Sequence, residues 1–308
     1  MYKTFLHMLI FSSFIFCWSF TTGCTQKPWP DSPLYEPPEN DPAWVPPVTV
    51  AEAKAALQGH YAHYDIVAYI GQTPAGPMRT FIISYGFTDF TMQGNDLVEI
   101  DRFCHSVNKN NQPFTANLND AATQAITPRT ATVEVFQEAG AWKIMRPPTP
   151  TLIGINGDPW QPLSQNPNDP NINDADGDGK PGVTVHLTLY GFIKAELYIA
   201  RREIFQNFLT LYSDGSLYGH VVDTSEQLVI GATLNLLNMP SSPPQYEDLG
   251  LSPIILVPVA DDLDNCEELM ANRDSLFPAE PAFRRAVLSP AAMSADAAPV
   301  KCVRPDHL

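Results

Sequence analysis

Asn207-Phe208-Leu209-Thr210-Leu211-Tyr212-Ser213-Asp214-Gly215-Ser216-Leu217-Tyr218-Gly219-His220-Val221-Val222-Asp223 is the stretch that decides the fold class. Two apolar-rich runs flank Asp-Gly, and that dipeptide suits a tight reversal between antiparallel strands. Just upstream, residues 183–189 alternate apolar and polar side chains, as a half-buried strand does. Working outward, period-two or β-rich runs occupy residues 59–70, 79–87, 95–107, 195–204, 228–234 and 253–259. Residues 130–138 and 141–145 read as a hairpin around Ala139-Gly140. The spacing predicts a mainly β protein, a single antiparallel β-barrel or sandwich. Helical signals are confined to residues 51–57 and to a short C-terminal helix over 264–271, whose first turn carries acids that suit the helix dipole. The β-rich domain is expected to span 49–279, with an Ala/Pro-rich flexible tail over 280–308.

The N-terminus carries an address. A single positive charge at Lys3 precedes an apolar run from residue 5 to 20, too short for a comfortable membrane span. Thr21-Thr22-Gly23-Cys24 follows, and this ending resembles a bacterial lipoprotein signal, with Thr21 where leucine is usual. The resemblance implies cleavage after residue 23, lipidation of Cys24 and anchoring to the membrane through that lipid. Thr25 in place of Asp implies the outer membrane as the destination. An ordinary secretory signal or an uncleaved anchor is the alternative. Residues 24–48 hold prolines at 28, 30, 33, 37, 38, 42, 46 and 47, which enforce extended chain, and read as a tether. Trp29, Tyr35 and Trp44 are expected to punctuate that linker, docking on the domain being the alternative.

The chain carries a formal charge of −16, and loss of the signal removes one lysine and no acid, making it −17. Such acidity argues against nucleic acid as a partner, since phosphate neutralisation needs a basic surface. With Cys17 in the signal and Cys24 lipidated, Cys104, Cys266 and Cys302 stay available in an oxidising compartment. An odd number allows one bridge; Cys104–Cys266 is favoured, with Cys266–Cys302 as the alternative.

The most chemically committed loop is Asp174-Ala175-Asp176-Gly177-Asp178-Gly179. Three alternating carboxylates repel one another unless a hard cation such as Ca²⁺ sits among their oxygens. The loop resembles the Asp-x-Asp-x-Asp-Gly loops of EF-hands, dockerins and thrombospondin type 3 repeats. That resemblance assigns side-chain oxygens of Asp174, Asp176 and Asp178, and the backbone carbonyl of Lys180, to the metal. It departs from the pattern at the closing position, which is Val185, and at Pro181-Gly182, which lead into a strand instead of a helix. Asp169, Asn171 and Asn173, or more distantly Glu196 and Glu203, are candidates for the missing oxygens. The expected affinity of this calcium loop, residues 169–182, is weak, on the order of 10⁻⁴–10⁻³ M, and its expected role is structural, pinning the long loop of residues 157–181 to the first residues of the strand after it. A solvated Asn/Asp/Gly turn is the competing reading. The signal, this loop and Cys266 together resemble uncharacterised lipoproteins of environmental bacteria, a likeness that implies no activity.

Catalytic motifs are absent from the sequence: no Gly-x-Ser-x-Gly, no His-Glu-x-x-His and no Gly-rich phosphate loop. His60 and His63 fall on opposite faces of a strand, His186 is expected to face solvent, and Ser213, Asp214, Ser216 and His220 suit hairpin chemistry better than a triad. Arg201 and Arg202 are expected in surface salt bridges, and Asp261 and Asp262 at a loop or helix start. The leading expectation is a calcium-binding, lipid-anchored cell-envelope protein with a structural or binding role, meeting an envelope protein. A small-hydrophobe carrier of lipocalin type comes second, a calcium-dependent hydrolase third.

Overall fold

Residues 207–223 fold as the hairpin that the Asp-Gly pair predicts. Gly215 adopts φ 82°, the left-handed region that glycine enters without cost. The turn closes with Gly215 N–H on the Tyr212 carbonyl and Tyr212 N–H on the Ser216 carbonyl, each at 3.0 Å. A computed structural model describes residues 35–73, 76–238 and 242–283. The signal (1–23), Cys24, Trp29, Cys302 and residues 284–308 of the tail lie outside the described residues.

In chain order the elements are α1 (Val50–Leu57), β1 (Gly59–Thr73), β2 (Gly76–Gln93), β3 (Asp96–Asn110), β4 (Phe114–Leu118), α2 (Asp120–Gln124), β5 (Arg129–Thr132), β6 (Glu134–Glu138), β7 (Ala141–Ile153), β8 (Val183–Leu189), β9 (Ile193–Leu211), β10 (Leu217–Asp223), β11 (Glu226–Ala232), β12 (Pro253–Pro258) and α3 (Cys266–Leu276). All strands belong to one curled antiparallel sheet, a half-barrel.

The two runs expected at 195–204 and 207–212 are one strand, β9, because no glycine or proline interrupts residues 193–211. Its first half pairs with β8 and β11, its second with β7 and β10. From β9 the ladder passes through β10, β12, β1, β2 and β3 to β5. β5 and β6 are successive halves of one extended segment broken at Val133: β5 pairs with β3, and β6 pairs with β7. Residues 129–138 thus link the two ends of the curl. Pro147 and Pro148 lie next along β7, where the β7–β9 register slips between Arg146 and Thr149. Proline has no N–H to give a ladder. Between β5 and β7, the pairing recorded among the described residues leaves a seam that side chains must close.

Period two then assigns the faces. Odd residues of β1 and β9 point inward. Tyr61, Phe90, Leu97, Trp142, Ile144, Leu209, Leu211 and Leu217 form an apolar interior layer capped by Ala53 and Leu57 of α1. Burying each such large side chain contributes roughly 1.5–3 kcal/mol. On the outer face Tyr64, Ile66, Phe81, Ile83, Tyr85 and Phe87 are covered by Leu269 and Phe277. α3 starts two residues later than expected: Asn265 is its N-cap, accepting the Glu268 N–H at 2.9 Å. A Cys104–Cys266 disulfide ties its first residue to β3.

The proline-rich segment stays extended from residue 35 but is not free. Tyr35 hydroxyl lies 3.3 Å from that of Tyr64, Asn40 Oδ1 accepts Ser213 N–H at 2.9 Å, and Trp44 packs on the interior cluster. Tyr35 and Trp44 are therefore docking residues of a strap, not punctuation in a linker. At the other end Glu280 bonds Tyr85 and Lys109, and Phe283 stacks on Phe81, so the packed body continues past residue 279.

Candidate functional site

The acidic loop is held shut at its neck. Asp174 and Gly182 form a parallel bridge, with Ala175 N–H on the Gly182 carbonyl and Gly182 N–H on the Asn173 carbonyl. Gly177, Gly179 and Gly182 take φ of 73°, 82° and 83°, which explains glycine at each. Inside this ring, one oxygen from each of Asp174, Asp176 and Asp178 lies within 4.8 Å of the others. These are the ligand positions expected from the sequence, and the arrangement can hold a metal ion.

Each carboxylate is also oriented by the chain. Asp174 accepts N–H bonds from Gly177 and Gly179 at 2.8 Å and from Asp178 at 3.1 Å. Asp176 Oδ2 accepts the Thr184 N–H at 3.0 Å, and Asp178 Oδ2 accepts the Thr184 hydroxyl at 2.6 Å. That Thr184 bond, opposed by slight burial and helped by Lys180, holds the Asp178 carboxyl below its ordinary range. Thr184 is fully buried near the start of β8, so the loop is fastened to that strand. Asp176 Oδ1 and Asn173 Oδ1 are buried with no hydrogen-bond partner. Buried acceptors without donors are costly, and a cation among the three aspartates would give Asp176 a partner.

The other candidate donors are engaged elsewhere. Asp169 accepts from Asn171, Glu196 pairs with Lys180 at 2.7 Å, and Glu203 pairs with Arg129 and Arg201. The Lys180 ammonium also lies 3.6 Å from Asp178 Oδ2, a positive charge at the loop rim that opposes metal affinity.

A second cluster was not legible in the sequence. One interior layer, next to the apolar one, collects His63 and Asp65 from β1, Thr88 from β2, Glu99 and Asp101 from β3, Arg129 from β5, Arg146 from β7 and Asn207 from β9, none more than 3% exposed. Arg146 Nη1 donates to Asp101, and its Nε lies 3.5 Å from Glu99 Oε1. Arg129 donates to Glu203 at 2.5 Å while its guanidinium lies between the Phe103 and Phe205 rings. His63 lies 2.8 Å from both Thr88 Oγ1 and Asp65 Oδ2. These are triad letters, but Thr88 has no exposed surface and its proton goes to Asp101. A nucleophile needs room for a substrate beside it, so this layer does not fit a catalytic triad. Arg201 corrects an expectation too: it points inward beside Glu203 instead of lying in a surface pair.

No protein-family model, curated protein or solved structure matches the chain. The lipoprotein and calcium-loop resemblances therefore rest on the residues alone. The remaining sequence candidates find ordinary partners. His186 is exposed, and Asp214 accepts from Ser216 in the turn. His60 bonds Asp89 and Arg202 bonds Glu226, while Asp261 and Asp262 are exposed. An apolar cargo inside the curl would lie against Glu99, Asp101 and Arg146, and it would have to displace the packed apolar layer. A groove of about 260 Å³ lies instead on the outer face, between Tyr35, Tyr218 and Phe277.

Proposed function

We propose that the chain is a calcium-braced β protein of the cell envelope, lipid-anchored through Cys24 at the outer membrane, with a structural or binding role. The observation that carries the metal part is the Asp174–Asp176–Asp178 cluster, with Asp176 Oδ1 buried and unpartnered beside it. Calcium suits an all-oxygen donor set on a flexible loop. The ion would tie residues 173–182 to the start of β8 through the Thr184 bonds, and so hold the long 154–182 connection against the sheet edge. Lys180, and a closing position filled by Val185, keep affinity in the range about 10⁻⁴–10⁻³ M typical of extracellular modules. The anchor rests on Thr21-Thr22-Gly23-Cys24, and the envelope partner is open to discovery through it.

At 10 mM calcium such affinities stabilise by about 1.4–2.7 kcal/mol, raising the melting midpoint by roughly 3–5 °C over chelator. Asp176→Ala should abolish the rise while leaving the chelated midpoint within a degree or two. Equal midpoints with calcium and with chelator, and no bound metal by elemental analysis, would sink the metal reading. The anchor is checked separately: Cys24→Ser should move the protein from the membrane to the soluble fraction, and unchanged partitioning counts against it.

A further inference from the structure

The seam between β5 and β7 is crossed by buried charge instead of backbone bonds. Arg146 of β7 reaches Glu99 and Asp101 of β3, and Asn207 of β9 reaches Glu99 at 3.5 Å. Arg129 of β5 reaches Glu203 of β9. Every one of these contacts joins one end of the curl to the other.

The charges of this layer are unevenly matched around Asp101. Thr88 has one hydroxyl proton, and it is donated to Asp101 Oδ1 at 2.6 Å. His63 Nδ1 lies 2.8 Å from Thr88 Oγ1, and its Nε2 lies 2.8 Å from Asp65 Oδ2. A single guanidinium, Arg146, faces two buried carboxyls, Glu99 and Asp101, while His63 lies against Asp65, and Arg129 and Arg201 lie against Glu203. One carboxylate is in excess. A net charge buried this deeply is untenable, so a proton must neutralise it. Glu99 is the group that holds it: it is fully buried, its Oε2 has no hydrogen-bond partner, and Asp101 has claimed the strong bond to Arg146.

We infer that the Glu99–Asp101 pair, clamped by Arg146, is a proton-operated closure of the β5–β7 seam: one shared proton keeps the seam shut, and its loss loosens it. With the proton present, Arg146 balances a single negative charge. Without it, two carboxylates crowd one guanidinium at a seam that has no recorded ladder. Burial and the neighbouring Asp101 charge push the Glu99 carboxyl up to about 8, so the loss falls in the mildly alkaline range. The inference stands independently of the calcium reading.

The test is amide exchange of the full chain from pH 5 to 9, expressed as protection factors to remove the intrinsic pH dependence. Protection over residues 129–146 should fall about tenfold per pH unit up to pH 8 and then level, while residues 61–69 of the β1–β2 ladder hold theirs. Glu99→Gln should give a flat profile. A flat wild-type profile, an unchanged slope in Glu99→Gln, or a uniform loss across all strands overturns the closure. If Glu99→Gln does not fold, infrared spectroscopy of the wild type decides. A buried protonated-carboxyl carbonyl band at pH 7 that vanishes by pH 10 supports the closure, and its absence at pH 7 overturns it.

Discussion

Replacing Cys104 and Cys266 together by alanine should be strongly destabilising. The bridge joins β3 to the first residue of α3 across a sequence separation of 162, a loop that contains β4 through β12. In the chain-entropy account, opening a loop of that length frees the unfolded chain by about 5 kcal/mol at 25 °C. That figure is an upper one, because residual structure in the unfolded chain shrinks it, and removals from native proteins cost about 2–5 kcal/mol. Unfolding entropy of about 2.1 cal/mol/K per residue over roughly 250 residues is about 0.5 kcal/mol/K, so the midpoint should drop by about 4–10 °C. A second consequence is local. α3 is an 11-residue helix with only Leu269 and the adjacent Phe277 deeply buried, too short to persist by propensity alone. Calorimetry and urea titration of the double variant check both points, and the urea slope should rise as the unfolded state expands. A midpoint shift under about 2 °C with an unchanged slope would refute the loop-entropy reasoning. Leu269→Ala, which keeps the bridge but empties the space under α3, supplies the packing share of about 2–5 kcal/mol by itself.

Three further outcomes are expected. Because Glu99 holds its proton in the folded state up to about 8 but only to an ordinary 4.5 when unfolded, the folded state binds more protons between those limits. Global stability therefore falls as pH rises through that window, by at most about 1.4 kcal/mol per unit, and urea midpoints of Glu99→Gln should lack the slope. Arg146→Met leaves Asp101 and Glu99 without their cation and should cost about 3–5 kcal/mol by urea unfolding; adding Glu99→Gln and Asp101→Asn should recover much of it, and no recovery would refute the charge accounting. Gly219→Ala puts a methyl 1.7 Å from the Phe208 carbonyl oxygen, where β10 crosses β9, and should cost about 3 kcal/mol, read as a lower thermal midpoint.

What the residues determine alone is whatever depends on near neighbours in the chain. Asp214-Gly215 specifies its hairpin, Ala139-Gly140 takes left-handed φ of 50° and 81° at the next one, and three alternating acids with Gly179 form a pre-folded ring. Turn geometry and side-chain alternation are short-range, and they survive in sequence as readable patterns. Even there, the neighbours of a strand are invisible: nothing local shows that four different partners share the edges of β9.

The interior ionic layer is the opposite case. His63, Glu99, Asp101, Arg129 and Arg146 are scattered over more than eighty residues and each looks like an ordinary polar position on its own strand. Only the curl of the sheet, closed through residues 129–138, turns their faces toward one another and removes water from between them. Charge pairing and proton sharing are set by distance and burial, not by spacing in the chain. The loop at 174–179 was legible because its chemistry is local, and the proton at Glu99 was not, because it belongs to the tertiary structure.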